Sequence, residues 1–130
     1  MTDGYSKILH IRSKAMNNYC VKQNYTIKEV IETIDESRNR NAIVLNDNDK
    51  VIGVISQGDI IRALCSGKNL YSNVEGIINN DFLYMNSLDM EQAYKLFRKL
   101  KITLLPVVDD NFKLQSVIVL DDIYKYLEDR

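Results

Sequence analysis

The strongest constraint on this chain is that it repeats itself. Residues 43–64, IVLNDNDKVIGVISQGDIIRAL, lie over residues 106–127, PVVDDNFKLQSVIVLDDIYKYL, without a gap at an offset of 63 residues. Val44, Asp47, Asn48, Lys50, Val54, Ile55, Asp59, Ile60 and Leu64 recur as Val107, Asp110, Asn111, Lys113, Val117, Ile118, Asp122, Ile123 and Leu127. A fixed internal period means that one supersecondary unit was used twice, and that each copy needs the other to cover its apolar face.

Upstream the offset survives as pattern. Ile27, Val30, Ile31 and Ile34 form the i, i+3, i+4, i+7 stripe of a half-buried helix, and Met90, Ala93, Tyr94 and Phe97 stand in the same places of the second copy. Thr26 and Asp89 precede these stripes and are suited to accept first-turn amides, so both are predicted N-caps. Each copy then changes period. A short apolar run (42–45 or 104–108) leads through a polar turn (46–50 or 109–113) to a second run (51–55 or 114–120), the pattern of two paired strands. A second helix follows at 59–65 or 121–128, and short strands are expected ahead of each copy at 19–22 and 83–85.

The expected fold class is α+β: two repeats of about β-α-β-β-α packed sheet to sheet about a pseudo-twofold axis, with a cleft between them. The corresponding boundaries are an N-terminal helical segment at 1–18, repeat one at 19–65, a connector at 66–81 and repeat two at 82–130. Within the connector, Val74, Ile77 and Ile78 have the spacing of a short packed helix.

Charge narrows the function. A net charge of −1 leaves no basic excess for a nucleic-acid backbone, although a small anion needs only a few local cations. No apolar run approaches the roughly 18 residues of a membrane span, and the first residues lack a signal-peptide core, so a cytoplasmic protein is expected. Cys20 and Cys65 have apolar neighbours and no partner at motif spacing, which predicts buried thiols. His10 has no further ligand nearby and is a poor metal candidate.

Enzyme motifs are missing: there is no P-loop, GxGxxG or GxSxG, and no histidine beside a nucleophile. The pairs Asp109–Asp110 and Asp121–Asp122 fall in a turn and at a helix start, where aspartate serves the local backbone. What remains is GVISQGDIIRAL, residues 53–64, which places Ser56 and Asp59 where a strand hands over to a helix. Orphan amides there favour anions, so a hydroxyl and a carboxylate could meet a phosphate and a ribose diol. The same Ser-x-x-Asp spacing equally describes a capping box, and one carboxylate can serve both ends.

The motif Gly-apolar-apolar-Ser/Thr-x-x-Asp, following a strand of apolar-Pro-Val-Val-Asp type and repeated after some sixty residues, resembles the CBS domain, named for cystathionine β-synthase. The likeness runs from about Ile11 to Leu127. It implies a paired module that catalyses nothing, requires no cofactor and binds AMP, ADP or ATP, with S-adenosylmethionine a less favoured ligand. It also implies a homodimer that signals to a fused or partner enzyme or transporter. Carried onto this sequence, Ser56 and Asp59 hold ribose and phosphate, Asn41 and Ala42 flank the base, and Val21 or Lys22 forms the opposite wall.

Repeat two keeps Asp122 but has Ser116 at the glycine position and Val119 at the hydroxyl position, which weakens the case for a second occupied cleft. Leu104 and Leu105 fall where a base would be held, or are plain core. Lys22, Arg40 and Arg62 are the candidate phosphate cations of the first cleft, and Lys101 and Lys125 those of the second. The alternative to a sensor is a ligand-free dimerisation scaffold. The ending YKYLEDR, with no effector domain, is expected of a stand-alone adaptor or an excised regulatory region.

Overall fold

The computed structural model describes residues 16–130. His10 and most of the predicted N-terminal helical segment lie outside them; Asn17–Tyr19 form a single 3₁₀ turn. The first repeat runs β1 (Cys20–Lys22), α1 (Ile27–Ser37), β2 (Asn41–Leu45), β3 (Val51–Ser56) and α2 (Gln57–Cys65). The second runs α3 (Met90–Leu100), β4 (Leu104–Val108), β5 (Leu114–Val119) and α4 (Leu120–Glu128).

The helices start where their caps put them. Thr26 Oγ1 accepts the Glu29 amide at 3.2 Å while Glu29 Oε1 accepts the Thr26 amide at 3.0 Å, and Asp89 accepts the Gln92 amide at 3.1 Å. Ile27, Val30 and Ile34 of α1 are buried, as are Ala93 and Phe97 of α3, so each stripe faces its own sheet. Both helices end in a left-handed residue at equivalent positions, Arg38 (φ 56°) and Lys101 (φ 53°). That turn sends the chain straight into β2 or β4.

In the first repeat β2 lies between β1, parallel to it, and β3, antiparallel to it. In the second, β4 and β5 pair antiparallel, and the short strand expected at 83–85 reduces to a bridge in which Met85 exchanges hydrogen bonds with Pro106 and Val108. Leu83 and Tyr84 are exposed and have no strand to join. The connector helix is a 3₁₀ turn, Glu75–Ile77, anchored by fully buried Val74.

The repeats close sheet to sheet. Ile43, Leu45 and Val51 of the first meet Leu104 and Val108 of the second in one buried cluster, with Tyr19, Phe82, Val117 and Val119 at its margin. Each repeat also has its own core, beneath α1 and beneath α3. The hairpin turns meet as well: the Val51 amide donates to Phe112 O at 2.8 Å and Lys113 Nζ to Asn48 O at 2.6 Å.

Candidate functional site

A groove of about 530 Å³ opens between the repeats, within the roughly 300–1,000 Å³ typical of ligand sites. The first repeat contributes Arg40, Asn41, Val54, Ser56, Gln57, Gly58 and Ile61. Phe82, Leu83, Lys101, Ile102, Thr103, Leu104 and Pro106 form the other wall. One side is therefore polar and cationic and the other mostly apolar. Arg40 and Lys101 are exposed, and neither forms an ion pair with another of the described residues.

Ser56 is the N-cap of α2, and the capping box is fully formed. Its Oγ accepts the Asp59 amide at 3.1 Å, and Asp59 Oδ2 accepts the Ser56 amide at 2.9 Å. Asp59 Oδ1 accepts from Arg62 Nη2 at 2.7 Å, so both carboxylate oxygens have partners. Arg62 reaches back over Gly58, where a Cβ would stand only 3.1 Å from Nη1. Ser56 faces the groove, whereas Asp59 and Arg62 line a shallower depression beside it with Lys68 and Gly76.

Partial burial raises the Asp59 pKa, but hydrogen bonds from Ser56 and Arg62 outweigh it and hold the carboxyl below the usual carboxylate range. A depressed native pKa contributes stability above the unfolded value, about 3.9, that is lost as pH falls through the native one. Asp59→Asn should therefore be less stable than wild type at neutral pH, with the gap narrowing below about pH 4. Urea midpoints across that range test this; a gap independent of pH contradicts it.

The remaining predicted residues are dispersed. Val21 and Ala42 are buried in the first repeat's core, so their side chains face α1 and not the groove. Lys22 is paired with Asp49 at a separate depression that also holds Tyr25 and Lys113. Cys20 is half-buried, and burial pushes its thiol up to about 12. Cys65, expected to be buried, is instead exposed at the C-terminal end of α2.

A second groove of about 520 Å³ includes Tyr19, Ser116, Val119, Asp121, Asp122, Lys125 and Asp129. Asp122 accepts the Val119 amide at 2.9 Å, but Val119 has no hydroxyl to return the bond. Lys125 is paired with Asp121 at 3.3 Å, so among the described residues this groove is lined by carboxylates with no unpaired cation.

Lys101 thus sits in the first groove and not the second. With Gln57, Gly58, Phe82 and Thr103 it completes a site that counting along one repeat did not assemble. The period held the clue, since 63 positions beyond Arg40 stands Thr103, in the facing wall.

Two α+β repeats that close sheet to sheet beside a shared groove define a tandem-repeat module. The family model for the CBS domain matches this chain twice, at residues 11–66 and 74–129, and the chain belongs to that family. CBS pairs are in general regulatory, non-catalytic modules. An uncharacterised Helicobacter pylori protein is 34% identical over 101 residues, which cover 75% of this chain but 30% of that protein.

A CBS domain protein from Pyrobaculum aerophilum complexed with AMP is similar with a TM-score of 0.66 and 22% identity, over 85% of this chain and 91% of that one. The cytosolic domain of a Mg²⁺ channel in complex with ATP gives a TM-score of 0.66 and 23% identity, over 84% of this chain and 45% of that one. At those identities the likeness is one of fold. Among the described residues, no helix is long and apolar enough to cross a membrane, and no group of three or more His, Cys, Asp or Glu is placed to hold a metal.

Proposed function

We propose that this CBS pair is a cytoplasmic regulatory module that binds AMP, ADP or ATP in the first groove and reports occupancy to a fused or partner enzyme or transporter. The observation that carries this is the convergence of Arg40 from one repeat and Lys101 from the other on a groove that includes Gly58, in the first turn of α2. Two unpaired cations and an N-terminal helix amide suit a phosphate. Phe82, Leu83, Ile102 and Pro106 offer the apolar wall for a base. In this arrangement Ser56 and Asn41 meet the sugar and phosphate, and Asp59 reaches a ribose hydroxyl once Arg62 swings out. S-adenosylmethionine fits less well, because its sulfonium would face Arg40 and Lys101.

By linkage, the ligand acts on a partner only insofar as it binds one arrangement of the repeats more tightly than another. The AMP- and ATP-bound relatives support the ligand class, and the small share of the Helicobacter pylori relative that is matched supports signalling within a longer protein. Thermal melts with AMP, ADP, ATP and adenosine test the reading. A nucleotide at a hundred times its Kd should stabilise the fold by about 2.7 kcal/mol; no shift with any of the four leaves the scaffold reading.

A specific observation favours self-association in either case. Ile61 and Leu64 of α2 and Tyr124 and Leu127 of α4 are exposed apolar residues at equivalent positions of the two repeats, with Leu120 exposed beside the second pair. A second copy presents the same two patches, which allows an isologous dimer. Light scattering should report twice the chain mass for wild type and a single chain for Ile61→Glu with Tyr124→Glu; a monomeric wild type rejects the dimer.

A further inference from the structure

We infer that Thr103 is a positioning residue for the anion site: through the amides of Asn39 and Asn41 it sets, from the opposite repeat, where Arg40 is held. This rests on the nucleotide reading above. Thr103 Oγ1 donates to Asn39 Oδ1 at 2.8 Å and accepts from Asn41 Nδ2 at 2.7 Å, while Asn39 Nδ2 donates to Thr103 O at 3.0 Å. Asn39 Oδ1 also accepts the Asn41 amide at 3.1 Å, and Arg40 O accepts the Gln57 amide at 2.9 Å.

Arg40 is therefore the residue between two asparagines that are both tied to one hydroxyl across the groove, with its own carbonyl fixed to α2. A hydroxyl that donates and accepts at once is a requirement valine cannot meet and serine can. The network has no twin, because the counterparts of Asn39 and Asn41 are Ile102 and Leu104. The half of the chain that lacks Arg40 thus decides how well Arg40 meets a phosphate, which makes phosphate binding depend on the repeats staying in register.

The test is calorimetric titration of the chain with AMP and with adenosine. In Thr103→Val, AMP affinity should fall roughly tenfold and adenosine affinity by clearly less, and Thr103→Ser should restore the preference for AMP. Asn39→Ala is the independent second variant and should lose the same preference, with the double variant no worse than either single one. Equal losses for AMP and adenosine in both variants, or an intact AMP preference in both, overturn the positioning role. A wild type that binds neither compound overturns the nucleotide reading itself, a result distinguishable from both.

Discussion

Removing both cations of the first groove, Arg40→Ala with Lys101→Ala, should abolish stabilisation by ATP while leaving the unliganded fold where it was. Both residues are exposed and unpaired among the described residues, so their loss should move stability by no more than about 0.5 kcal/mol. Their effect on binding should be far larger. A hydrogen bond to a charged group contributes about 1.5–3 kcal/mol, so two such losses weaken ATP by two or more orders of magnitude. A concentration that saturates wild type a hundredfold then falls near or below the Kd, and the stabilisation shrinks from about 2.7 to below about 0.4 kcal/mol.

Lys125→Ala is the control. Its ammonium is already paired with Asp121 in the second groove, and the ATP-induced shift should be unchanged. A double variant that keeps the wild-type shift sinks the first groove as the phosphate site. Loss of the shift in Lys125→Ala alone moves the site to the second.

Periodicity records which face of an element is apolar, and that is why so much of each repeat could be read in advance. The stripe Ile27–Val30–Ile34, the caps Thr26 and Asp89 and the paired strands with their polar turns follow from local rules that the structure obeys. What periodicity does not record is which elements of the other repeat will lie opposite. Assigned by sequence proximity, Lys101 belongs to its own repeat's cleft; as the left-handed residue that ends α3 it lies instead in the groove that Arg40 lines.

Val21 and Ala42 stray for a related reason. β2 is covered on both faces, by the first repeat's helices and by the second repeat's sheet, so residues predicted to line a cleft are sealed in core. For Ser56 and Asp59 the ambiguity is of another kind. One spacing satisfies both a capping box and a ligand motif, and the structure forms the box.

Gly53 is where the connector presses on the first sheet, and Gly53→Val should destabilise the protein by about 3 kcal/mol or more. A Cβ there would stand 2.5 Å from Ile78 Cγ2 and 2.6 Å from the Asn79 carbonyl oxygen. The Ile78 side chain can rotate, but Asn79 cannot withdraw, because its amide and carbonyl are bonded to Val54 at 2.9 and 3.1 Å. Relieving the clash breaks those two bonds, at about 1 kcal/mol each, and the overpacking that remains adds about 1–3 kcal/mol.

Gly53→Ala should already show most of the loss, since the first carbon makes the clash, whereas Ser116→Ala at the equivalent position of repeat two should fall within about 0.5 kcal/mol of wild type. Urea midpoints at unchanged slope measure all three; a Gly53→Ala protein as stable as wild type would mean that the connector yields freely. The consequence reaches the groove, because the connector runs on from Asn79 into Phe82 and Leu83 of its apolar wall. A chain pushed off β3 carries that wall with it, so whatever of Gly53→Ala remains folded should also bind nucleotide more weakly.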